Sequence, residues 1–91
     1  MPTTLFDGFS TTIKGDEILV ELNYPFVRKP FKSAVTKEAD RLFKQVESEV
    51  GAEARVLEFT ETKIVASFLV GGSLLKRFGI RDTINNMLMN A

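Results

Sequence analysis

Thr11-Thr12-Ile13-Lys14-Gly15-Asp16-Glu17-Ile18-Leu19-Val20-Glu21-Leu22-Asn23-Tyr24 is the stretch from which the fold is read. Gly15-Asp16 places two turn-forming residues between two extended runs, the short-range signature of a β-hairpin. In the second run Ile18, Val20, Leu22 and Tyr24 share one face, because side chains alternate along a strand with period two. Leu19 breaks the polar alternation on the other face. Pro25 and Pro30 then bracket Phe26-Val27-Arg28-Lys29, a connector expected to be non-helical, since the residue before a proline is pushed towards extended backbone.

Downstream of this hairpin, Val35, Ala39, Leu42, Phe43, Val46 and Val50 keep the three-and-four spacing of an apolar helical stripe. The spacing predicts a helix over 33–50, capped by Ser33 and ended by Gly51 in the left-handed conformation. Lys37, Glu38, Asp40, Arg41, Lys44, Glu47 and Ser48 are expected on its solvent face. Residues 54–60 and 63–70 read as a second strand pair, with Leu57 and Phe59 pointing one way. Lys63-Ile64-Val65-Ala66-Ser67-Phe68-Leu69-Val70 is almost wholly apolar, which suits a central strand. The turn at Glu61-Thr62 contains no glycine. After Gly71-Gly72, Ser73 is read as opening a short turn with Leu74, Leu75 and Phe78. That turn is expected to stop at Gly79, and a final helix to start from Asp82 with Ile84, Met87 and Leu88 inward.

The element order is therefore β-β-α-β-β-α. The economical architecture is α+β: a four-stranded antiparallel sheet with two helices packed on one face. With 91 residues the chain holds a single domain, 1–91, composed of two ββα units at about 10–50 and 54–90. Ile18-Leu19-Val20-Glu21-Leu22 aligns with Ile64-Val65-Ala66-Ser67-Phe68, and each run is followed by a basic pair, a Phe and a helix. The alternative to a true duplication is that the same packing physics shaped two unrelated halves.

Composition narrows function mainly by exclusion. The chain has no Cys and no His, which removes disulfides, Cys-based zinc sites and every Ser/His or Cys/His nucleophile arrangement. Neither Walker spacing nor GxGxxG is present, and Gly71-Gly72-Ser73 reads as a tight β-to-α turn. No carboxylate pair has an evident reason to be buried. The expectation is a non-enzyme without cofactor or metal. No signal peptide or membrane-length apolar run is visible, so a cytoplasmic location without membrane contact is expected.

Net charge is zero but unevenly distributed: +4 over 26–44, +2 over 72–91 and −3 in each remaining segment. Arg28, Lys29 and Lys32, then Lys76, Arg77 and Arg81, stand at or just before the two helix starts. Cations there face the positive end of the helix dipole, slightly unfavourable unless acidic side chains, a partner's carboxylates or phosphates offset it; the plain alternative is solvated cations framing the helix ends. These six are the candidate partner-binding residues, with Phe26, Phe31 and Phe78 beside them. The function expected is a small non-catalytic interaction or structural module working through a protein–protein surface and self-associating as a homodimer. Surplus apolar side chains (Leu5, Phe6, Phe9 and the Met87-Leu88-Met89 tail) motivate the dimer. The alternative is a nucleic-acid-binding module using the same cations against phosphates.

Overall fold

A computed structural model describes residues 4–25 and 29–91, with Lys29 and Pro30 described in backbone only. The order is β1 (Gly8–Lys14), β2 (Glu17–Asn23), α1 (Lys29–Val50), β3 (Ala54–Phe59), β4 (Lys63–Leu69) and α2 (Leu74–Met89). The strands form one antiparallel sheet in the order β1-β2-β4-β3, with both helices on one face. This is the expected α+β architecture.

Each hairpin closes through local chemistry. Gly15 takes φ 61 in the first position of the β1–β2 turn, and no non-glycine residue among those described has positive φ. That pattern belongs to a type II′ turn, whose twist matches the flanking strands. The β3–β4 turn manages without glycine because the Thr60 hydroxyl accepts from the N–H groups of Thr62 (3.3 Å) and Lys63 (3.1 Å). A side-chain oxygen thus replaces the conformational freedom of a glycine.

The core lies between the sheet and the helices. Ile18, Val20, Leu22 and Tyr24 point into it from β2 and its end, and Ile64, Ala66, Phe68 and Val70 from β4 and its end. Val35, Ala39, Leu42, Phe43 and Val46 come from α1, and Ile84 and Leu88 from α2. Phe6 and Phe9 pack partly against this cluster, with Phe6 edge-on to Tyr24 at a centroid distance of 6.4 Å. The N-terminal aromatics therefore help close the core, while Leu5 stays exposed.

The two ββα units are joined at β2–β4, and the junction has approximate two-fold character. Its register is Ile18↔Phe68, Val20↔Ala66 and Leu22↔Ile64. The shift that carries Ile18 to Ile64 also carries Leu22 to Phe68, so exchanging the units leaves the pairing unchanged. Two further bonds obey the same exchange: Tyr24 N–H donates to Thr62 O (2.7 Å), and Val70 N–H donates to Asp16 O (2.8 Å).

Four expectations are corrected. α1 starts at Lys29 rather than Ser33, with Pro30 in its first turn, where a missing N–H costs nothing. Lys29 is thus helical, while residues 26–28 of the expected connector lie outside the described residues. α2 runs unbroken through Gly79 and Asp82, capped by Ser73, whose hydroxyl accepts from Lys76 N–H (3.1 Å). One internal glycine costs a helix only about 1 kcal/mol, less than burying Ile80, Ile84 and Leu88 along one continuous stripe returns. Glu38 faces inward rather than to solvent. Finally, β3 carries a β-bulge between Val56 and Glu58, so Leu57 and Phe59 are not simple same-face neighbours.

Gly79 also yields a test. Nothing lies within 4 Å of where its Cβ would stand. Gly79→Ala is expected to stabilise the protein by about 0.5–1 kcal/mol by restricting the unfolded chain. A denaturant midpoint unchanged or lowered would show that the helix is not continuous there.

Candidate interaction surface

Among the described residues, Lys32 of the first set of candidate cations does not meet the second set. α1 follows the Asn23 end of β2, and α2 follows the Leu69 end of β4. Because Asn23 pairs with Lys63 and Glu17 with Leu69, these are opposite ends of the sheet. Six residue steps separate them, about 20 Å at strand rise. The antiparallel junction dictates this, since equivalent ends of two antiparallel strands point apart. Lys32 sits at the first end, its ammonium 5.6 Å from the centroid of the Phe59 ring. Arg28 and the side chain of Lys29 lie outside the described residues.

At the second end the cations are largely committed within the chain. The Arg77 guanidinium donates to Gly72 O (2.9 Å) and Val70 O (3.4 Å), which compensates its position at a helix start. Arg81 lies 3.7 Å from its neighbour Asp82 and stacks over Phe78 at 5.1 Å. Lys76 is exposed, beside the exposed Leu74 and Leu75. One shared basic-aromatic surface is therefore not formed by the described residues.

What the tertiary structure does assemble is a surface along β3. The first edge of the sheet, β1, has its inward side chains Phe9 and Ile13 packed against the core. Its Thr11 hydroxyl hydrogen-bonds Asn85 of α2 at 2.7 Å. The other edge, β3, is barely covered: Val56 is 56 % exposed, Leu57 53 % and Phe59 38 %. Between this strand and α1 runs a shallow groove lined by Ala39, Phe43, Ala54, Val56, Phe59 and Ile64, with Asp40 and Glu47 on its rim. Phe31 on α1 is also exposed. The strand's first outward N–H, that of Ala54, donates to Glu47 Oε2 (2.8 Å), and since Arg55 turns its main chain towards Ser67 of β4, the free edge begins at Val56.

The bulge gives β3 its chemistry. Arg55 pairs with Ser67 and Glu58 with Val65, both on the sheet face away from the helices. Residues three apart in a regular strand would point to opposite faces; the extra residue puts Arg55 and Glu58 on the same one. Glu58 lies 3.6 Å from Lys63, and both are partly exposed. A period-two reading of the strand puts Leu57 and Phe59 on one face and does not reveal this surface. The available signal is the Arg55/Glu58 spacing, which does not fit an unbroken period of two.

The interior holds one further polar constellation. Glu38 is 9 % exposed and accepts from Leu5 N–H (2.8 Å) and from the Tyr24 hydroxyl (3.3 Å). The Tyr24 hydroxyl is pushed well above its ordinary pKa, first by desolvation and then by the charge of Glu38. The pair anchors the N-terminal segment to α1. Among the described residues, no three His, Cys, Asp or Glu side chains are grouped to hold a metal ion, and no helix is long and apolar enough to cross a membrane. In comparisons with known proteins, no family model, curated protein or solved structure matches the chain.

Proposed function

We propose that this protein is a non-catalytic interaction module that acts through a protein–protein surface, and that the surface is the β3 edge with the α1–β3 groove beside it. The supporting observation is the exposure of Val56, Leu57 and Phe59 on one unpaired edge strand. Such an edge offers main-chain donors and acceptors together with apolar side chains, the combination by which strand addition binds a partner. Self-association is the form of interaction that requires no second component.

Sedimentation over a concentration series tests this reading. A reversible oligomer is expected that persists at high salt and is weakened by Leu57→Asp, because apolar contact is not screened by ions. A labelled single-stranded oligonucleotide should show no steeply salt-sensitive binding, the mark of phosphate recognition. A monomer at every concentration, or oligonucleotide binding of that kind, would count against it.

A further inference from the structure

We infer that the β3 edge takes the β3 edge of a second copy, antiparallel, with Arg55 opposite Glu58 of the partner, so that two four-stranded sheets join into one of eight. This rests on the self-association reading above and gives it a register.

The register follows from the faces and charges of a single strand. A two-fold axis between Val56 and Leu57 sets Arg55 against the other copy's Glu58, and Ala54 against its Phe59. Directly opposed residues in an antiparallel pair share a face. Arg55 and Glu58 both lie on the face away from the helices, and Ala54 and Phe59 both follow the helix face, like their pairing partners Phe68 and Ile64 on β4. Both kinds of pair flanking the axis are thus on a common face. The bulge, which would throw a regular partner strand out of step, meets an identical bulge at the axis; because Ala54 N–H stays on Glu47, each flanking Ala54–Phe59 pair is joined by one main-chain bond, from Phe59 N–H to Ala54 O.

Charge agrees on both faces. Away from the helices, two-fold symmetry makes the Arg55–Glu58 pair twice. On the helix side, Lys32 stands at the Phe59 end of the groove and Glu47 at the Ala54 end. Antiparallel joining brings the cationic end of one groove against the anionic end of the other. Steric fit agrees as well: the small Ala54 faces the bulky Phe59, and Val56 and Leu57 of the two copies become neighbours at the centre. The β1 edge offers no equivalent, because its exposed side chains are Ser10, Thr12 and Lys14.

Charge exchange tests the register. In Arg55→Glu the opposed residues are both acidic, and in Glu58→Arg both are basic, each twice per dimer. Each variant alone is expected to dimerise about tenfold or more weaker than the parent, from two cross-strand pairs turned from attractive to repulsive. An equimolar mixture of the two is expected to recover association as a heterodimer, since the two carboxylates of one variant then face the two guanidinium groups of the other. Circular dichroism of each variant shows whether it remains folded, and rescue in the mixture separates a lost contact from a damaged fold. If the parent dimerises and both single variants match it, or if the mixture stays monomeric, the register is overturned while self-association stands. If the parent is monomeric throughout, both are overturned.

Discussion

Phe68→Ala is expected to destabilise the protein by about 3–5 kcal/mol, the cost of deleting a fully buried aromatic and leaving its cavity. Phe68 has no exposed surface, pairs with Ile18 across the central junction, and meets Phe43 of α1 at a centroid distance of 6.2 Å and an interplanar angle of 66°. It therefore ties the second unit's strand to the first unit's strand and helix at once. A domain of this size holds roughly 5–14 kcal/mol in total, so one side chain carries a large share of the margin. Chemical denaturation followed by circular dichroism measures it. Phe31→Ala is the control: Phe31 is 62 % exposed, and its loss should stay within about 0.5 kcal/mol. A Phe68→Ala cost as small as the control's would mean that the core is not centred on β4.

Removing the Glu38 carboxylate is the second large effect. Glu38→Ala takes the acceptor from the part-buried Leu5 N–H and from the buried Tyr24 hydroxyl, a loss of about 1–3 kcal/mol. Tyr24→Phe should cost less, because Glu38 keeps the Leu5 bond. The two variants together should fall short of the sum of the single effects, as expected for partners in one network. Alkaline pH provides an independent readout. The Tyr24 hydroxyl has a folded-state pKa raised above the ordinary 10.0. Between the two values the unfolded chain has released the proton and the folded chain retains it, so stability falls as pH rises. The contribution is whole below pH 10 and declines above it. The gap between parent and Tyr24→Phe unfolding midpoints should therefore shift in favour of Tyr24→Phe above about pH 10. Parallel curves would show that the hydroxyl is solvated.

Much of the fold was legible because its signals are local. Gly15-Asp16 between alternating runs, the stripe from Val35 to Val46 and the apolar run at Ile64–Val70 each declare an element without reference to the rest. The misreadings fall where a local signal met a tertiary demand. Gly79 and Asp82 look like a helix break, but Ile80, Ile84 and Leu88 need one uninterrupted stripe to reach the sheet, and the stripe prevails. Glu38 looks like a surface residue by type. It is buried because the N-terminal segment and Tyr24 bring two donors to it, and neither is near in sequence. The cations show the same limit: Lys32 near the first helix start and Lys76, Arg77 and Arg81 in the second helix look alike along the chain, and the antiparallel junction places them at opposite ends of the sheet.

The order of elements, their types and the inward faces of β2 and α1 were set by residue periodicity, because which side chains can be buried together depends on spacing along the chain; the almost wholly apolar β4 took its inward face only from the fold. Which edge would be left uncovered was not set by periodicity, and neither was the side of the sheet on which Arg55 and Glu58 emerge. Those depend on where α1 settles over the strands and on one extra residue in β3, and both follow from how all six elements share a single core.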